Sequence, residues 1–181
     1  MKKAASIFLR ADMEPADVRN LSGWLQNQKV TRYLNEDAGA SDALLDLLET
    51  TPAPLLTCRF NRTGRFFLVC DGDDDSIGFV KLQKQADPGC YEVVFAIGDE
   101  RIWGNGYGSQ ALRAALAQVF LEWRGRKVTA KIYHGNTRSE RTVRGCGFRE
   151  EERLEKLSRF TLTQTDYLEG LTCPGEDGKL A

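Results

Sequence analysis

The chain has almost no surplus of charge: 25 lysines and arginines stand against 26 aspartates and glutamates, a net charge of −1 over 181 residues. Non-specific nucleic-acid binding needs a basic face, so no nucleic-acid partner is expected. Long apolar runs are also missing. No window could span a bilayer, and Met1-Lys-Lys leads into Ala-Ala-Ser rather than an apolar signal core, so no membrane partner is expected. Cysteine is sparse and scattered: Cys58, Cys70, Cys90, Cys146 and Cys173 are odd in number and form no CxxC pair. That pattern excludes a zinc site of the usual spacing, predicts no metal, and reads as reduced thiols in a cytoplasmic protein. Histidine occurs once, as His134. No repeat or linker divides the chain, which predicts one domain over residues 1–170 and a loose tail over 171–181.

What is present fits a globular core: 41% hydrophobic and 28% charged residues. Ser6–Arg10 reads as a first strand. A helix opens at Glu14-Pro15 with Val18, Leu21, Trp24 and Leu25 on one face, and Val30–Leu34 forms a second short piece. Ser41–Leu48 is a further helix, capped by Ser41 and stopped before Pro52. Residues 52–64 carry no assignable pattern. Arg65–Cys70 and Ser76–Gln83 pair as a hairpin around Asp71–Asp75, whose consecutive aspartates read as a solvated turn rather than a cation site. Tyr91–Ile97 is apolar on both faces, the mark of a covered central strand. Ser109–Trp123 is an amphipathic helix with Ala111, Leu112, Ala115, Leu116, Val119, Phe120 and Trp123 as its buried stripe. Lys127–Tyr133 is the next strand, Thr137–Cys146 a short helix ended by Gly147, and Glu151–Lys156 and Arg159–Gln164 two closing strands. The order predicts a mixed α/β fold, hairpins plus one strand–helix–strand crossover.

The crossover is where chemistry concentrates. Gly104, Gly106 and Gly108 alternate between the apolar strand and the amphipathic helix. Such a loop presents unobstructed backbone N–H groups at the positive end of a helix dipole, which is an anion site. No lysine follows as in GxxxxGK[ST], and the spacing misses GxGxxG, so neither a magnesium-nucleotide loop nor a dinucleotide fingerprint is present.

Tyr91–Phe148 resembles the GNAT superfamily of acyl-CoA-dependent N-acetyltransferases. Trp103-Gly-Asn-Gly-Tyr-Gly108 stands for its (Arg/Gln)-x-x-Gly-x-(Gly/Ala) loop, and Asn136, Ser139, Gly147 and Phe148 for its Asn-x-x-Ser…Gly-Phe block. Trp103 replaces the usual Arg or Gln; together with Trp24–Leu34 this is similar to the branch of the ribosomal-protein-alanine N-acetyltransferases. The resemblance implies a mostly antiparallel sheet of six to seven strands, splayed to admit acetyl-CoA, with about four helices. It implies that Gly104, Asn105, Gly106, Tyr107, Gly108 and Ser109 surround the pyrophosphate, with Trp103 beside them. The pantetheine arm would pair with backbone near Ile97 and touch Asn136, which also suits a helix cap.

Acetyl transfer needs a neutral amine. Glu92, the lone carboxylate of the central strand, is the expected base, its basicity raised by partial burial; a strand-end carboxylate paired with a cation is the alternative. A backbone N–H near Ile97 would polarise the thioester carbonyl without a metal. Where many relatives carry an acidic Tyr, this chain has Val143, leaving Ser139, His134, Tyr107 and Tyr133 as candidate proton donors. His134 also reads as a hydrogen-bonded structural residue, and Cys146 as packing. Tyr33 and Glu36, with Asn35 and Asp37, mark the acceptor side. The acceptor is a peptide N-terminus or a small-molecule amine such as a polyamine, aminoglycoside or amino sugar, and a homodimer is common among the proteins it resembles. The competing class is an acyl-CoA-binding or protein-interaction domain without turnover, supported by Val143 alone.

Overall fold

The computed structural model describes residues 6–34 and 39–172. Seven strands form one sheet: β1 (Phe8–Arg10), β2 (Gly64–Cys70), β3 (Ser76–Lys84), β4 (Cys90–Ile97), β5 (Lys127–Tyr133), β6 (Arg149–Arg153) and β7 (Leu157–Thr163), in the order β1-β2-β3-β4-β5-β7-β6. Every pairing is antiparallel except β4 with β5, the crossover expected around the Gly-rich loop. The sheet is thus mostly antiparallel and seven-stranded, as expected.

The helices are more numerous than expected. Among the described residues there are seven rather than about four: α1 (Pro15–Gln26), α2 (Gln28–Thr31), α3 (Ala40–Thr50), α4 (Leu56–Phe60), α5 (Tyr107–Ala117), α6 (Thr137–Gly145) and α7 (Gln164–Thr172). Two of the extra ones are a turn or so long and bury a single residue each, Val30 in α2 and Leu56 in α4, too little for a 3.6-residue period to show. The unassigned stretch before β2 is a 3-10 turn at Ala53–Leu55 followed by α4. The third, α7, replaces the start of the expected tail. It docks through Tyr167, whose ring centroid lies 4.8 Å from that of Phe120. Residues 173–181 lie outside the described set.

One face of the sheet packs on α5 and α6. The expected stripe is there, with Leu112, Ala115, Leu116, Val119 and Phe120 buried against Val80, Leu82, Val93, Val128 and Ala130. The helix stops at Ala117 and continues as one wider π-type turn over Gln118–Glu122. On the other face α1, α3 and α4 cover only the β1–β4 half, burying Val18, Leu21 and Leu56 against Phe66, Leu68 and Phe79. Pro15 is the first residue of α1, and the Asp17 carboxylate accepts the Glu14 N–H at 2.9 Å. Ser41 is not the cap of α3. Gly39 at φ +98° holds that place, and the Ser41 hydroxyl, two residues further on, lies 2.8 Å from that of Ser22 and ties α3 to α1.

β4 was expected to be covered on both faces, yet much of it is only half buried. The reason is the divergence of its neighbour. β4 and β5 are in register only at Cys90–Lys127, Tyr91–Val128 and Glu92–Thr129, and part beyond Glu92. Gly98 donates to the Ile77 carbonyl at 2.9 Å on the β3 side. Antiparallel alternation then turns the backbone groups of Phe95 and Ile97 away from β3, into the gap that β5 has left. Close by, a Cβ at Gly98 would overlap the Trp24 indole, which seats α1 on the end of β4.

Candidate acetyl-donor cleft and acceptor pocket

The parting of β4 and β5 opens a cleft of about 890 Å³. Phe95, Ala96 and Ile97 form its floor, the loop into α5 one wall, the first turns of α6 the other, and Tyr33 and Leu34 its cover. Gly104 (φ +83°) and Gly106 (φ +86°) take the left-handed backbone that a side chain disfavours, and Gly106 is the N-cap of α5. The first helical bond runs from the Gln110 N–H to the Gly106 carbonyl at 3.0 Å. The N–H groups of Tyr107, Gly108 and Ser109 are therefore the open donors of an eleven-residue helix, and all three residues line the cleft. A Cβ at Gly108 would meet no protein atom closer than the Phe95 ring at 3.7 Å. Glycine there leaves space on the cleft side; the protein does not itself demand it.

Trp103 also stands in this wall, and its indole N–H donates to the Ile97 carbonyl at 2.7 Å. That bond occupies the carbonyl of Ile97 and leaves its N–H facing the gap. Asn105 lies elsewhere. It sits at the exposed tip between two left-handed glycines, which turn it off the cleft wall. Across the cleft Asn136 accepts the Ser139 N–H at 3.2 Å, so it caps α6 and faces the cleft at once. The Tyr33 hydroxyl donates to the Gly135 carbonyl at 3.3 Å and bridges the cleft mouth. Glu36 lies outside the described residues.

The sequence reading missed the basic lining. Lys29, Arg32, Arg138 and Arg141 all face the cleft. Lys29 is paired with Glu100 at 2.9 Å, whereas among the described residues no carboxylate pairs with Arg138 or Arg141. The available signal was their spacing three apart just after the α6 cap, which puts both on one helix face. Asp99, at the loop entrance, is held below the usual carboxylate range by hydrogen bonds from Arg101 and remains an anion turned away from this lining.

A second pocket of about 130 Å³ continues the cleft and shares Tyr33, Leu34, Phe95, Asn136 and Ser139 with it. Glu92 lines it, 17% exposed, but not as an unpartnered carboxylate: Lys131 Nζ lies 2.8 Å from its Oε2. Glu92 is opposite Thr129 in register, and Lys131 is the next residue of β5 on that face. Ser139 lines both spaces. His134 lines neither. It follows the end of β5, exposed, with its N–H bonded to the Lys156 carbonyl at 3.0 Å and its Nε2 3.4 Å from the Ser158 hydroxyl. These contacts tie His134 to β7 and its turn, and not to the cleft.

Val143 is fully buried in the main core, and Thr137, Ser139 and Thr142 are the hydroxyl-bearing residues of α6 that line the cleft. Burial pushes the Cys146 thiol above its ordinary pKa, and its Sγ lies 3.9 Å from the Ser109 carbonyl oxygen, which fits packing. Among the described residues no cluster of His, Cys, Asp or Glu could hold a metal, and no helix is long and apolar enough to cross a membrane.

Comparison with known families and structures agrees with this geometry. The family model for the acetyltransferase (GNAT) domain matches residues 7–149. Among curated proteins none matches at the level of sequence. Of solved structures, the spermidine N-acetyltransferase from Vibrio cholerae in complex with CoA and spermine superposes with a TM-score of 0.75 at 22% identity, covering 90% of this chain and 98% of that one. An acetyltransferase (GNAT family) from Bacillus anthracis gives 0.71 at 19% identity over 91% and 99% of the two chains. The aminoglycoside acetyltransferase AAC(6')-Ib in complex with coenzyme A gives 0.71 at 18% identity over 91% and 98%. At these identities the likeness is one of fold.

Proposed function

The chain belongs to the GNAT family of acetyltransferases, and from that premise we propose that it moves the acetyl group of acetyl-CoA onto a primary amine held in the small pocket beside Glu92. The observation that carries this reading is the continuity of the two spaces. Three open helix amides line the cleft together with Arg32, Arg138 and Arg141, which have no carboxylate partner among the described residues, and a carboxylate stands in the pocket that continues it.

The residues fit the donor. The cleft volume lies in the range of small-molecule sites. The amides of Tyr107, Gly108 and Ser109 suit a diphosphate, and the space beside Gly108 is a cradle that a Cβ would fill. Phe95 and Ile97 offer backbone groups for an amide-bearing arm. Acetyl-CoA supplies an activated thioester when bound.

Every other role falls to the chain's own side chains. The Ile97 N–H, aimed into the gap, serves as the donor toward a developing oxyanion. Glu92 takes the proton of the acceptor amine at Oε1 or Oε2, directly or through one water, and Lys131 turns to solvent as its partner is neutralised. Ser139 is the hydroxyl placed to return a proton at the junction of the two spaces. Tyr33 and Leu34 keep water from that junction.

The acceptor classes are a peptide N-terminus, as the likeness to the ribosomal-protein-alanine branch implies, and small amines of the kind that the spermidine and aminoglycoside enzymes take. The test is release of free thiol from acetyl-CoA with a panel drawn from these classes, coupled to mass detection of the acetylated amine. Tight acetyl-CoA binding with no thiol release from any member would reject turnover and favour a binding domain.

A further inference from the structure

The wall of the cleft that carries the open amides has no cation of its own. From Trp103 to Gln110 the loop and first helical turn contain no lysine or arginine. The charge comes from the opposite wall: the Arg138 guanidinium lies 3.7 Å from the centroid of the Trp103 ring. Arg138 belongs to α6 and Trp103 to the loop before α5, so this stack crosses the cleft between its two walls. Trp103 is fixed in turn, because its N–H is committed to the Ile97 carbonyl at 2.7 Å. A guanidinium on an aromatic face gains attraction while its N–H groups at the edge stay open for an anion. Among the described residues Arg138 has no carboxylate partner, unlike Lys29, Arg101 and Arg144.

We propose that Arg138, seated on the Trp103 indole, is the cation that binds the diphosphate of acetyl-CoA opposite the α5 amides, and that Trp103 is its positioning residue. The inference rests on the acetyl-CoA reading above. An arginine held by a ring rather than a carboxylate is preorganised and keeps its full charge for the ligand. A carboxylate partner would have to be displaced first. The diphosphate is favoured over the ribose 3′-phosphate because the stack lies on the loop that ends in the Gly106 cap, next to the open amides.

The test is calorimetric and needs no turnover. Arg138→Gln should weaken acetyl-CoA binding roughly ten- to a hundredfold, the loss expected for charge-assisted hydrogen bonds. It should weaken dephospho-acetyl-CoA, which keeps the diphosphate and lacks the 3′-phosphate, by the same factor. Binding of S-acetyl-pantetheine, which has no phosphate, should not change. Trp103→Leu should reproduce part of the loss, and the double variant should bind no worse than Arg138→Gln, because the two act as one unit. Arg138 is exposed, so an unchanged Tm for Arg138→Gln is the expected fold control. Unchanged acetyl-CoA affinity in Arg138→Gln would overturn the proposal, as would a loss confined to the 3′-phosphorylated ligand or full additivity of the two substitutions. Failure of the unsubstituted protein to bind acetyl-CoA would instead overturn the reading on which the proposal stands.

Discussion

Lys131 Nζ lies 2.8 Å from the Oε2 of Glu92, an ion pair set where β4 and β5 part. Glu92 is largely covered at 17% exposed, while Lys131 is 49% exposed and can turn to water. The pair therefore has one covered and one half-exposed member. Glu92→Gln keeps the shape and removes the proton acceptor. Its kcat should fall by about 10²–10⁴-fold, the usual contribution of a general base. Its acetyl-CoA Kd, measured by calorimetry, should stay the same. Wild-type kcat across the pH range would remove Glu92 from the mechanism.

Replacing the partner tests the same pair from the other side. Lys131→Met leaves the Glu92 carboxylate in place and removes only its half-exposed partner, a pair of the kind worth about 0.2–1 kcal/mol. Its kcat should therefore fall by about fivefold or less, far less than in Glu92→Gln. A loss as large as that of Glu92→Gln would mean that Lys131 itself is needed for turnover.

The left-handed cap of α5 makes a further prediction. Gly106 stands at φ +86°, where a Cβ costs about 1–2 kcal/mol, and it adjoins the three open amides. Gly106→Val should abolish acetyl-CoA binding by calorimetry. Its circular dichroism should stay native, with Tm lowered by only several degrees. Retained binding would refute the loop as the diphosphate site.

Stability at low pH should depend on a cluster away from the cleft. The Ser158 hydroxyl donates to Glu150 at 2.7 Å and Arg144 pairs with it at 2.8 Å, which together hold its carboxyl below the usual carboxylate range. A carboxyl whose pKa is depressed by folding stabilises the native state above its unfolded pKa. That stability is lost as pH falls through the folded value, which lies below the ordinary glutamate value. Denaturant titrations should show Glu150→Gln losing less stability than the parent between neutral and strongly acidic pH. An equal acid loss in both would show that this carboxyl does not contribute.

The sequence by itself determined what is local and periodic. The α5 stripe, the bounds of β5, the β2–β3 hairpin and the glycine loop follow from local spacings, and the glycine loop with Asn136, Ser139, Gly147, Phe148 and Trp24–Leu34 carried the family resemblance. Short elements were the least legible: the piece expected at Val30–Leu34 is α2 at Gln28–Thr31, and α4 fell in the unassigned stretch, because each buries one residue and a single buried residue has no period. Only the tertiary structure decided what meets across elements. Glu92 and Lys131 are partners because β4 and β5 run parallel with α5 between them in sequence, and their register is set by packing. Arg138 reaches Trp103 because the same divergence leaves α6 facing the loop. His134 meets Ser158 of β7 rather than the cleft, a neighbour that its place after β5 does not specify. Spacing encodes direction along a strand or helix. The partner found in that direction depends on where the rest of the chain has folded.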